Sequence, residues 1–196
     1  MLIKEVNDPD CTDLFKAAYE NRYTWDSSFP GYEGNCSWTN EERKVEGSFT
    51  LGRDLKSKIT GIEDEEIHKA ISSQLWEISI HRVRRSFEQT HGKNTFTFGD
   101  INELGLEIIV GGKSEGDKYR VKDNVVTMVH RHIHGNLIVI TTNNVIHTGN
   151  GYLSKSYSSQ YLDPISKKDL NGKIFYKDNF IPLFKDGPWV LASRSI

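Results

Sequence analysis

Cysteine is almost absent: Cys11 and Cys36 are the only two in 196 residues. They fall near different elements and no export signal precedes them, so two free buried thiols are expected and a disulfide is not. An excess of positive charge is missing as well. With 25 Lys and Arg against 27 Asp and Glu, the net charge is −2, which argues against a nucleic-acid binder that works through bulk electrostatics. No apolar run approaches the roughly 20 residues of a membrane-spanning helix, so no transmembrane segment is expected. The opening stretch MLIKEVNDPDC has one Lys followed by acids, with no apolar stretch and no small-residue cleavage site; a cytoplasmic location is the corresponding expectation. Also lacking are a glycine-rich phosphate loop, a nucleophile elbow and a Cys/His metal framework. Repeats and low-complexity tracts are absent, and no cofactor is expected.

What is present is the composition of a globular protein, with 27% charged and 36% hydrophobic residues. The length fits one domain over residues 1–196, and no linker composition interrupts it. The spacing predicts a first helix with Asp8 as cap, Pro9 at its first position and acids in its first turn, running to about Asn21 or Tyr23. Cys11, Leu14, Phe15 and Ala18 form its apolar stripe. Tyr32–Trp38 and Val45–Leu51 alternate as strands around a Thr39–Glu42 turn, and Leu55–Ile59 supplies a third strand. A second helix of about 20 residues starts at the acidic run Glu63–Glu66 and ends at the basic run His81–Arg85, matching the macrodipole at both ends. The acidic run lacks calcium-loop spacing. The basic run is a solvated helix end or a contact for an anionic partner.

From Thr95 onward the pattern is β. Candidate strands cover 95–98, 104–110, 118–121, 125–132, 137–147, 151–161, 173–180 and 189–195, with hairpin signals at Asp123-Asn124 and Gly135-Asn136. The expected class is α+β: a single curved antiparallel sheet or unclosed β-barrel of about 10–11 strands. The long helix is expected across its concave face, with the shorter N-terminal helix beside it.

Three groups of residues carry candidate chemistry. Tyr23, Trp25, Phe29, Tyr32 and Trp38 place much aromatic surface between the first helix and first strand, either as a core plug or as the rim of an apolar cavity where they bind ligand. Glu88 and His91 pair a carboxylate with an imidazole, the makings of a general acid/base; the bland reading pairs Glu88 with Arg85 on the surface and makes His91-Gly92 a turn. His130, His132 and His134 alternate along a strand and could share a face toward a transition metal. Against this, Gly135-Asn136 puts His134 in a turn, and no carboxylate or cysteine stands at a familiar ligand spacing.

The runs Asp13–Trp25, Phe29-Pro30-Gly31-Tyr32, Thr60–Glu66 and Ser86–Phe96 together resemble an uncharacterised family of cyanobacteria and plant plastids, a domain of unknown function. The order of elements, with Pro188-Trp189-Val190-Leu191 in the last strand, is similar at the fold level to the Lol-type lipoprotein carriers. That likeness implies an unclosed barrel with an acyl-chain pocket. The leading expectation is a non-catalytic binding protein (carrier, chaperone or assembly factor) that holds a hydrophobic small molecule, pigment, lipid or peptide in a half-barrel cavity. The resemblance implies a photosynthetic host. The alternatives are a tetrapyrrole/bilin- or lipid-modifying enzyme, and a protein–protein interaction module without ligand. Free sheet edges would allow a homodimer.

Overall fold

A computed structural model describes residues 7–196; the leader reading of residues 1–6 lies outside them. The chain divides into two compact units, one formed by Thr24–Arg84 and the other by the stretches up to Tyr23 and from Arg85 to Ile196.

The Thr24–Arg84 unit is a meander with one helix. β1 (Gly31–Thr39), β2 (Lys44–Gly52) and β3 (Ser57–Thr60) pair in that order, all antiparallel. Helix α2 (Glu65–Arg82) packs on β3. Its N-cap is Asp64, whose Oδ1 accepts the N–H groups of Glu66 and Ile67, both at 3.1 Å. These bonds, with Arg43 Nη2 at 2.6 Å from Oδ2, hold the Asp64 carboxyl below the usual range. Ile67, Leu75 and Ile78 are buried, while Ala70 and Ile71 of the same stripe are half-buried.

In the other unit, α1 (Pro9–Glu20) begins as the sequence predicts, with Asp8 Oδ1 accepting from Asp10 and Cys11. A short helix, α3 (Phe87–His91), follows the return of the chain and is closed by a Ser86–Gln89 capping box. Then come β4 (Asn94–Asn102), β5 (Gly105–Gly112), β6 (Lys118–Lys122), β7 (Val125–Ile133), β8 (Asn136–His147), β9 (Tyr152–Leu162), β10 (Ile174–Pro182) and β11 (Trp189–Ser195). They form one open antiparallel meander in sequence order, with β4 and β11 at its edges. α1 packs on β4, β6 and β7. Phe15, fully buried, touches the rings of Tyr19, Phe87, His91, Phe96 and Tyr119 at centroid distances of 4.5–6.3 Å. These rings, His91 apart, form a hydrophobic core cluster of that unit with Ile108, Val110, Val121 and Val126.

The expectation of a single sheet is corrected to two, of three and eight strands. Alternation along a strand tells which faces are apolar and not which strands pair. The chain passes through α2 and α3 between β3 and β4, and β3 pairs with β2 alone. The helix packed on the eight-stranded sheet within its unit is the shorter α1, whereas α2 packs on β3. Leu14 is 37% exposed and Tyr19 takes its place on the buried stripe of α1. Leu55 lies in a turn and not in β3. Both thiols are free. Burial, aided by Asp8, pushes Cys11 up to about 12. No helix among the described residues is long and apolar enough to cross a membrane.

Candidate functional site

The aromatic segment that follows α1 is parted by its own backbone. Tyr23 belongs to the eight-stranded unit, where its N–H donates to Tyr152 O at 2.8 Å and its hydroxyl accepts from Trp189 N at 2.9 Å. Trp25, Phe29 and Tyr32 come together in the other unit. Trp25 is buried, 4.6 Å from the Phe29 centroid and 6.1 Å from Tyr32, which in turn meets Phe49 edge-on at 5.2 Å. Burial pushes the Tyr32 hydroxyl up to about 12. Trp25 also makes a parallel bridge to Val83, its N–H donating to Arg82 O at 2.8 Å. Trp38 stands further along β1, with the Arg43 guanidinium 5.8 Å from its ring centroid.

Concavity is found elsewhere in the same unit. Asp54, Leu55, Lys56 and Ser57, from the β2–β3 turn and the start of β3, face Ser72, Ser73 and Trp76 of α2 across an open cleft of about 500 Å³. Ser72, Ser73 and Trp76 share a helix flank because they stand four and three residues apart. This flank is turned away from the buried 67/75/78 stripe, so the indole is 55% exposed. The opposite wall is fixed by the turn. Gly52 N–H donates to Lys56 O and Leu55 N–H to Gly52 O, both at 3.0 Å, while Lys56 N–H donates to Asp54 Oδ1 at 3.1 Å. Leu55 has φ 64°, a left-handed conformation that costs an L-residue about 1–2 kcal/mol. An apolar side chain thus occupies a backbone position that favours glycine, and it lines the cleft. Flat apolar surface, three hydroxyls, one ammonium and one carboxylate make this wall suited to an amphiphile. The legible signal was a Trp off the apolar stripe of a long helix.

Glu88 and His91 sit on α3 but point to different surroundings. Glu88 is exposed, and its partner is Lys16 Nζ at 3.0 Å, not Arg85. His91 is 4% exposed among the rings of Phe15, Tyr19, Phe87, Phe96 and Tyr119. Its Nδ1 lies 3.3 Å from Asn94 Nδ2. Burial first, then the charges of Arg131 and Arg22, push the imidazole down to about 4. His91 is therefore neutral at physiological pH.

Of the three strand histidines, His130 and His132 are on β7 with ring centroids 5.7 Å apart, and His134 lies in the turn at φ 51°. A carboxylate distant in sequence reaches this run: buried Asp117 accepts the backbone N–H of His132 at 2.9 Å and lies 3.1 Å from its Nδ1, with Arg131 Nε at 3.5 Å. Burial lowers the pKa of His130. Among the described residues no group of three or more His, Cys, Asp or Glu is arranged to hold a metal ion.

No curated protein and no solved structure matches the chain. A family model does, and it spans residues 6–196. By that match the chain belongs to the family described as Protein of unknown function (DUF3386).

Proposed function

We propose that this is a non-catalytic binding protein, a carrier, chaperone or assembly factor, and that the cleft beside α2 holds a hydrophobic small molecule, pigment or lipid, or an apolar peptide segment. The observation that carries the reading is Trp76, a half-exposed indole on the wall of a cleft of about 500 Å³. That volume lies within the range of small-molecule sites, roughly 300–1,000 Å³. An indole left in water contributes nothing to folding through the part that stays wet; covered by a flat or aliphatic ligand, the same surface favours binding. Ser57, Ser72, Ser73 and Lys56 then offer hydrogen bonds and a charge to the polar end of the ligand.

Titration of the full chain with a naturally fluorescent polyene fatty acid tests this. Saturable binding is expected, and Trp76→Ser should weaken it by about tenfold or more, in line with the loss of one aromatic contact surface. Because Trp76 is exposed, its replacement should leave the melting curve close to that of the parent. Leu55→Gly is the sharper variant. Relief of the left-handed strain offsets the lost side-chain burial, so stability should change by less than about 1 kcal/mol while probe affinity falls. No saturable binding, or equal binding by the parent and both variants, would sink the reading. Native mass spectrometry of protein purified from its own host would then identify the occupant.

A further inference from the structure

The loop between β9 and β10 presents bulky apolar side chains to water. Ile165 is 91%, Leu170 49% and Phe175 62% exposed. This exposure is held in place by hydrogen bonds. Asp163 Oδ1 accepts the N–H groups of Ile165 and Ser166 and the Ser166 hydroxyl, at 3.1, 2.7 and 2.8 Å. Asp163 N–H donates to Lys168 O, and Lys167 N–H donates back to Asp163 O, both at 2.9 Å. Asp169 Oδ1 accepts from Asn171 and Gly172, and its Oδ2 accepts from Gln160 Nε2 at 2.7 Å. Two aspartates thus shape the loop so that Ile165 stands outward.

The same stretch is basic in an acidic chain. The loop, residues 163–173, holds Lys167, Lys168 and Lys173 against Asp163 and Asp169, a net charge of +1, whereas the whole chain carries −2. Lys173 Nζ lies 5.7 Å from the Phe175 ring centroid, so an ammonium from the end of the loop and an apolar ring from the start of β10 stand near one another. The charge of Lys167 is also felt at His130. Protruding apolar chains with lysines close by in the chain, Lys167 Nζ donating to Pro164 O at 2.7 Å, match an interface that is soft, anionic at its surface and apolar just beneath. A protein groove would demand one rigid shape, whereas a bilayer accepts separate protrusions.

We propose that the β9–β10 loop and the adjoining start of β10 dock on an anionic phospholipid bilayer. Ile165, Leu170 and Phe175 enter the headgroup–acyl boundary, and Lys167, Lys168 and Lys173 lie against the phosphates. Neither set suffices alone, because one weak apolar anchor or a few lysines gives only marginal binding and the two together give stable attachment. The inference does not rest on the cleft beside α2. It can fail while ligand binding succeeds, and the reverse also holds.

The test is co-sedimentation of the full chain with vesicles of phosphatidylcholine alone, and with vesicles containing phosphatidylglycerol as well. Binding to the anionic vesicles, weakened by salt, is expected. Lys167→Ala with Lys168→Ala should reduce it by about thirtyfold. Ile165→Ser with Phe175→Ser should abolish it without lowering the melting temperature, since both side chains are already in water. Failure to bind either vesicle would overturn the proposal, as would equal binding to both or variants that bind like the parent. A protein partner captured through these residues in the absence of vesicle binding would overturn it too.

Discussion

Asp178→Ala should destabilise the protein by about 3–5 kcal/mol, the usual cost of leaving a buried charge without its counter-ion. Asp178 is 1% exposed on β10, and Arg194 stands opposite it on β11 with its side chain only 5% exposed. The pair is bidentate: Nε donates to Oδ1 and Nη2 to Oδ2, both at 2.7 Å. Nη2 also donates to the Tyr157 hydroxyl at 2.6 Å, and the guanidinium lies 5.2 Å from the Tyr176 ring, which stacks on Tyr157 at 4.7 Å. One cation therefore ties β9, β10 and β11 together. Removing the carboxylate leaves the guanidinium buried and its desolvation uncompensated. Asp178→Leu combined with Arg194→Met should recover most of the loss, because it removes both charges and keeps the volume. Urea unfolding of the two variants decides the matter: a single-variant loss under about 1 kcal/mol, or a double variant worse than the single, contradicts this account.

Acidification should destabilise the protein well before its carboxylates are protonated. His91 takes up a proton near 6.5 in the unfolded chain and near 4 when folded. Its folded value is depressed, so the stability it contributes is fully present above about 6.5 and is lost as pH falls toward 4. Between pH 7.5 and 5 the loss amounts to about 2 kcal/mol. The groups that face this imidazole are the rings of Phe15, Tyr19, Phe87, Phe96 and Tyr119, with Arg22, Arg131 and Asp117 as the nearby charges. His91→Leu should flatten stability against pH by that amount, whatever it does to stability at pH 7.5. An unchanged slope in the variant would show that another group carries the acid sensitivity. A general base would instead need its imidazole within reach of a substrate proton.

Local chemistry was legible in the sequence wherever one residue sets one bond or dihedral. Asp8 and Pro9 mark the start of α1, and Asp123-Asn124 adopts the positive φ angles that tight hairpins require, whereas the second turn falls at His134-Gly135, one residue before the expected Gly135-Asn136. Period-two alternation placed the strands of the eight-stranded meander within a few residues. Pairing between distant residues was not legible. Asp178 and Arg194 face one another only once the β10–β11 register and its shift at Asn179/Phe180 are known. Asp117 reaches His132 only because β6 pairs with β7. α3 is a single turn set by the Ser86–Gln89 box, too short for a helical period to show. Trp76 carried a signal, an indole on the polar flank of a helix. Its cleft was not legible, because the facing wall comes from residues 54–57, about twenty positions earlier in the chain.

The clasp between Trp25 and Val83 bears on the order of assembly. Thr24–Arg84 interrupts the other unit, so α1 is made long before the strands it packs on. If the interruption were a flexible chain of roughly 60 residues, bringing α1 back to β4 would cost the closure entropy of a loop that long. Once Trp25 N–H is bonded to Arg82 O and the bridge to Val83 is formed, the two ends of the insert are already side by side. The effective loop shrinks to a few residues, which lowers the closure cost by about 2 kcal/mol. With its two ends bonded to each other, the smaller unit works as a splint that shortens the loop the larger one has to close.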